Sequence, residues 1–266
     1  IYTYTESSAA SDVYKRQPQH LLFDGIFELA TESGFGGLEI GYRRLSAIDT
    51  GDMQALLEKY GLVVNASHIG GNLADLGQAA GERDDLDGIL TRLYSLKIPY
   101  LLYSGLNEAD DRVLDASIRA LNTTADRCAD RGITLLYHNH DWEFANGRRI
   151  WNRLLETADT KIGFAPDLGW MAKAGEDLKA VLGELNGRVR VLHFKDFVSR
   201  APGQNTCHLG EGIIDFDPAW QWLESRTDED LWVTAEQDHA DDADAACAFN
   251  GAYLGTRLAA LEGTCA

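Results

Sequence analysis

From Pro18 onward the apolar residues follow two alternating patterns. Helical spacing covers Leu21–Ser33, Asp52–Tyr60, Arg83–Leu96, Ala109–Arg131, Arg149–Thr157, Leu178–Leu185, Pro218–Glu224 and Asp242–Leu261. Gly34, Gly61 and Gly132 stand just past the ends of such stretches, where a glycine stops a helix. Between them lie short apolar runs: Gly37–Gly41, Leu62–Ile69, Tyr100–Tyr103, Ile133–Tyr137, Ile162–Ala165, Val189–Phe194 and Leu231–Ala235. These are predominantly apolar runs rather than clean alternations, as parallel strands covered by helices are. Regular alternation of strand and helix predicts a parallel α/β sheet. Seven strands with a closing helix are one short of eight, so the predicted fold is a TIM (β/α)8 barrel that lacks its native first strand.

The segment where that strand belongs reads differently. Residues 1–17, IYTYTESSAASDVYKRQ, are polar and show no core periodicity. They have neither the basic start nor the apolar stretch of a secretory signal. Ser7–Gln17 back-translates into a transposon-type sequencing adapter, so residues 1–17 are expected to be a non-native scar or a disordered tail. Residues 18–266 are then one barrel domain, with no linker or composition break inside it.

Charge narrows the partners. The 42 Asp and Glu against 24 Lys and Arg leave a net charge of −18. Such a surface lacks the clustered cations needed for a phosphate backbone or an anionic lipid surface, so neither nucleic acid nor membrane is expected as a partner. Cys128, Cys207, Cys247 and Cys265 are scattered without a C-x-x-C pair. That argues against a disulfide framework and favours a reducing, cytoplasmic compartment.

In a TIM barrel the chemistry sits at the C-terminal ends of the strands. Those ends carry His68, the pair His138 and His140, Asp167, the pair His193 and Lys195, and the pair Glu236 and Asp238. Members of each pair are two residues apart and share a face of their strand. One histidine on a strand is ordinarily a packed structural residue; this many on matching ends point to a site. Imidazoles and carboxylates in one cup suit a divalent ion of intermediate hardness, such as Mn²⁺, Co²⁺, Zn²⁺ or Fe²⁺.

The segments LLYHNHDWEF (135–144), GFAPDLGWMAKAGEDL (163–178), VLHFKDF (191–197), HLGEGIIDF (208–216) and VTAEQD (233–238) resemble the sugar phosphate isomerase/epimerase family. This is the xylose-isomerase-like TIM barrel superfamily, which includes inosose dehydratases, ketose epimerases and endonuclease IV. The resemblance implies one divalent metal, Mn²⁺ foremost with Co²⁺, Zn²⁺, Fe²⁺ or Mg²⁺ as alternatives, on Glu, Asp, His and Glu in chain order. Asp167, His193 and Glu236 fall on the last three ligands. The first falls on His138, so either imidazole replaces carboxylate there or His140 supplies the bond.

The implied activity is isomerisation or epimerisation of a small keto-sugar or polyol, through proton removal beside a carbonyl and a metal-stabilised enediolate. The departure at His138 keeps a lyase, dehydratase or hydratase acting on a 3-keto-glycoside or inosose as the alternative. Glu236 is the candidate base, with His140 and Lys195 assisting as acid or charge partner. His68, Trp142 and Trp170 are candidate substrate contacts. Glu143 reads as a loop salt bridge and Asp196 as structural. The charge of −18 disfavours DNA repair of the endonuclease IV type, and a non-catalytic sugar-binding barrel is the remaining reading. A homo-oligomer would be ordinary for such a barrel.

Overall fold

The computed structural model describes residues 2–5, 19–71, 85–185, 187–203, 205–226 and 231–264. Eight parallel strands form its sheet. They are β1 (Tyr2–Thr5), β2 (Gly37–Gly41), β3 (Val63–Gly70), β4 (Tyr100–Ser104), β5 (Thr134–Tyr137), β6 (Gly163–Phe164), β7 (Val191–Phe194) and β10 (Trp232–Glu236). Their order is β6-β5-β4-β3-β2-β1-β10-β7. The outer two, β6 and β7, are joined by isolated parallel bridges at Phe164–Val189 and Asp167–His193. This is the predicted α/β barrel order.

The first-strand position expected to be vacant is occupied. Tyr2–Thr5 pairs with β10 from Tyr2–Val233 to Thr5–Glu236, and with β2 from Thr3–Gly37 to Thr5–Glu39. Alternating Tyr and Thr have strong strand preference, and the ladder asks only for backbone donors and acceptors. Short polar composition therefore did not exclude pairing. Residues 7–17, which carry the adapter reading, lie outside the described residues.

Helices alternate with the strands. They are α1 (Gln19–Glu32), α2 (Tyr42–Leu45), α3 (Thr50–Tyr60), α4 (Leu86–Ser95), α5 (Asp111–Ala129), α6 (Ala145–Thr157), α7 (Leu168–Ala174), α8 (Leu178–Glu184), α9 (Asp217–Glu224) and α10 (Ala243–Thr264). The short α2 and α7 went unread in the sequence, as did the antiparallel hairpin of β8 (Asp196–Phe197) and β9 (Thr206–Cys207). All are shorter than the window in which periodicity is legible. Several acids serve as caps: Asp49, Asp85, Asp110 and Asp177 accept from the first-turn backbone N–H groups of α3, α4, α5 and α8. Acids there satisfy orphan donors and complement the helix dipole, which accounts for part of the negative charge without invoking a ligand.

Side-chain parity connects core to site. Ala66, Leu102, Leu136, Ala165 and Val191 belong to one small buried cluster, distinct from the large core shared with the helices. Two residues further along stand His68, Ser104, His138, Asp167 and His193. Positions i and i+2 share a face, so the face that fills the barrel with apolar groups carries polar groups at its C-terminal end.

Candidate active site at the C-terminal mouth

His138, His193 and Glu236 each bring one nitrogen or oxygen to within 4.8 Å of the others. His138 and His193 are almost fully buried, their rings 4.7 Å apart. His193 Nδ1 lies 2.6 Å from Glu236 Oε2. Asp167 stands beside them, with Oδ2 3.9 Å from His138 Nε2. Of the two histidines open at the sequence level, His138 joins this cluster. His140 lies behind it, its ring 5.3 Å from that of His138.

Lys195 links the acids. Its ammonium is 2.7 Å from Glu236 Oε1 and 3.2 Å from both Asp167 Oδ2 and Asp238 Oδ2. Burial works against charge on Lys195, but the carboxylates of Glu236, Asp167 and Asp238 outweigh it and raise its pKa. Burial alone would likewise raise Glu236, yet the Lys195 ammonium and the His193 ring hold it well below the usual carboxylate range. Asp167 goes the other way: burial pushes its carboxyl up to about 7 despite Lys195. Burial also disfavours a charged His193, but Glu39 and Glu236 reverse that and bring it up to about 10. His138 and His140 are held neutral, the first well below the ordinary imidazole value and the second down to about 3, in both cases chiefly by burial.

Asp167 works on both sides. Its Oδ1 accepts from Trp170 N at 2.9 Å and caps α7, leaving Oδ2 for the site. Asn139 fastens the neighbouring loop to it, accepting from Asp167 N at 3.0 Å and donating to Asp167 O at 3.3 Å. In the D-L-G-W segment the glycine is obligatory, because a Cβ on Gly169 would run into the backbone carbonyl of Lys195. Gly169→Ala is expected to cost about 1–3 kcal/mol through overpacking. The comparison of thermal unfolding with that of the parent chain checks this, and an unaltered midpoint would show that the Lys195 backbone yields freely.

Asp196 points away from the cluster, as expected. Its carboxylate accepts from the backbone N–H groups of Phe197, Gly210, Gly212 and Ile214 at 2.8–3.1 Å. It thereby folds the H-L-G-E-G loop against β8, and a Cβ on Gly212 would collide with it. Asn250 on α10 ties that loop to the end of β10, accepting from Leu209 N and donating to Gln237 Oε1.

The candidate substrate contacts differ in how they sit. His68 Nε2 is 2.8 Å from Ser104 Oγ, and its ring is 5.7 Å from that of His138. Trp142 is stacked on His140 at 4.0 Å and 11°, and its indole N–H donates to Leu106 O. One of its faces is therefore covered by the histidine. Trp170 is 5% exposed, 5.7 Å from His140 and 5.4 Å from the Lys195 ammonium.

Glu143 differs from the salt bridge expected of it. Its carboxylate accepts from Tyr137 OH at 2.7 Å and from His140 N at 2.8 Å, so it shapes the H-N-H turn. Burial pushes it up to about 7 even with those donors. Its proton is therefore kept in the folded chain and lost in the unfolded one as pH rises from 4.5 to 7. Folding stability falls across that window, by on the order of 3 kcal/mol, and levels off above it. In Glu143→Gln that contribution should vanish; urea midpoints of both proteins at pH 5 and pH 8 measure it.

Two participants were missed at the sequence level. Glu39, on β2, puts Oε2 3.0 Å from His193 Nε2. Asp238 was noted at a strand end but given no task, and it is a partner of Lys195. A signal for Glu39 existed: an acid inside the apolar run G-L-E-I-G has to be paired if the strand is buried.

Residues 27–250 match the xylose isomerase-like TIM barrel family. The chain belongs to that family. An inosose dehydratase from Geobacillus thermodenitrificans is 29% identical over 143 residues, which are 47% of this chain and 48% of that protein. The chain spans about half the length of the curated relatives it matches. Among solved structures, an L-ribulose 3-epimerase superposes with a TM-score of 0.75 at 17% identity, over 99% of this chain and 96% of the other. The IolI protein, solved with a binding zinc atom, superposes with a TM-score of 0.72 at 15% identity, over 98% of both chains. At these identities the structural likenesses establish the family fold.

Proposed function

We propose that this chain is a divalent-metal-dependent enzyme that removes a proton beside the carbonyl of a small keto-sugar or polyol and returns it, as an isomerase or epimerase does. The observation that carries the reading is the convergence of His138, His193 and Glu236 at the barrel mouth. A divalent ion suits this donor set. His138 Nδ1 and Asp167 Oδ2 are buried without a hydrogen-bond partner, and two imidazoles with carboxylates match an ion of intermediate hardness, Mn²⁺ or Zn²⁺ among them. His138, His193 and Glu236 would hold it, with Asp167 as the fourth donor. Such an ion supplies positive charge to a carbonyl oxygen as the adjacent C–H is deprotonated.

The rest is the work of the chain. Glu236, kept ionised by Lys195 and His193, is the base that takes the proton. Lys195, held charged by three carboxylates, fixes the electrostatic balance of the mouth and leaves no free ammonium for a phosphate group. Lys173 is likewise engaged, with Gly203 O and Asn205 Oδ1. With both of these lysines engaged among the described residues, the substrate is read as a keto-sugar or polyol for which no phosphate group is needed. Neutral His140 and His68 are suited to hydrogen-bond its hydroxyls, and Trp170 offers an apolar edge.

Elimination of water from an inosose is a second reading, favoured by the 29% identity to an inosose dehydratase and by an imidazole at His138. Incubation of the Mn²⁺-supplemented protein with keto-sugars and inososes in D₂O separates the two. Rearranged sugar carrying deuterium is expected from the first reading and an unsaturated ketone from the second; neither product from any substrate would point to a binding barrel. Metal analysis adds a prediction: stoichiometric metal after Mn²⁺ addition, with turnover lost on chelation and restored by re-addition.

A further inference from the structure

Glu39 is 2% exposed, and a carboxylate withdrawn from water needs a cationic or hydrogen-bonding partner. Its Oε2 is 3.0 Å from His193 Nε2, a charge contact set off the line of a hydrogen bond, and it receives no hydrogen bond from any other described group. The other ring nitrogen, Nδ1, faces Glu236. The two acids thus grip opposite edges of one imidazole.

The backbone delivers Glu39 there by an irregularity. The register of β2 on β3 slips between Leu38 and Glu39, so that Glu39 stands opposite Ala66 and Gly41 opposite His68. Bulges of this kind re-aim side chains beside active sites. Just beyond, Ser67 Oγ donates to Ile40 O at 2.9 Å and secures the shifted strand.

We infer that Glu39 is a positioning residue that holds the proton of His193 on Nε2 and so leaves Nδ1, on the Glu236 side, as the metal donor. The inference rests on the metal-dependent reading above. Glu39 is not itself a ligand of that ion, because it lies across the ring from Glu236. Carboxylates behind ligating histidines fix the tautomer and the ring direction, and their loss typically weakens metal binding about 10–100-fold.

Two measurements on the full chain test it. The first uses the unaltered protein, ¹⁵N-labelled at histidine and loaded with Zn²⁺. Two-bond ¹H–¹⁵N correlation, with the His193 signals assigned by their disappearance in His193→Gln, is expected to show a protonated Nε2 and a metal-bound Nδ1. The opposite tautomer overturns the inference whatever the variants do. The second is calorimetric Zn²⁺ titration of the parent, Glu39→Gln and Glu39→Leu, with circular dichroism as the check on folding. Glu39→Leu is expected to bind about 100-fold more weakly and Glu39→Gln, which keeps an acceptor, about 10-fold more weakly. Parental affinity in folded variants overturns the role of Glu39 alone. A parent chain that binds no stoichiometric Zn²⁺ overturns the metal reading and this inference with it.

Discussion

Replacing Lys195 with methionine is expected to lower folding stability by about 3–5 kcal/mol. The side chain is 2% exposed and its ammonium faces Glu236, Asp167 and Asp238 at 2.7–3.2 Å. Methionine preserves most of the volume, so the cost is electrostatic: three carboxylates lose their shared cation in a region poor in water. Some of that cost is relieved by protonation, since burial already pushes Asp167 up to about 7. The destabilisation should therefore shrink as pH is lowered, because neutral carboxyls no longer need the ammonium. Lys161, whose pair with Asp126 is short but more than half exposed on both sides, serves as the control. Lys161→Met should leave the urea midpoint where it is, because solvent screens such a pair. A Lys195→Met midpoint equal to the parent's would mean that the carboxylates reach water or one another by a route the fold does not show.

Glu236→Gln is expected to reduce turnover by about 100- to 10,000-fold while leaving the fold intact. The amide keeps nearly the same shape and retains one acceptor for Lys195 or His193, but it cannot accept the substrate proton. It also removes the charge opposite His193 Nδ1, so metal affinity should fall in parallel. Assay on the substrate identified by the D₂O screen, at saturating Mn²⁺, separates loss of the base from loss of the ion. Turnover within threefold of the parent under those conditions would remove Glu236 from the role of base.

The strand ends were legible from parity alone. His68, His138 and His193 are each two residues beyond an apolar residue of the buried inner cluster, and the two-residue period of a strand is visible in any sequence. The H-N-H and D-L-G-W segments were legible by resemblance as well. Glu39 stood out as an acid in an apolar run, but its partner did not, because its arrival beside His193 depends on a register slip between two strands, which has no local spelling. The choice between His138 and His140 was equally out of reach: both occupy the same parity, and the turn built on Glu143 and Asn139 separates them. Tyr2–Thr5 illustrates the limit from the other side. Its composition spoke against membership of the fold, yet it completes the order between β2 and β10.

What the sequence determined by itself is the alternation of strand and helix, the family and the parity that sends imidazoles and acids to one end of the strands. These are local or repeating properties, written every two or every three to four residues. Only the tertiary structure decided which of those groups share charge. Lys195 meets three acids from two separate segments, and His193 is gripped by acids from β2 and β10. Such pairings join positions far apart in the chain, and they are settled by how the strands register around the barrel.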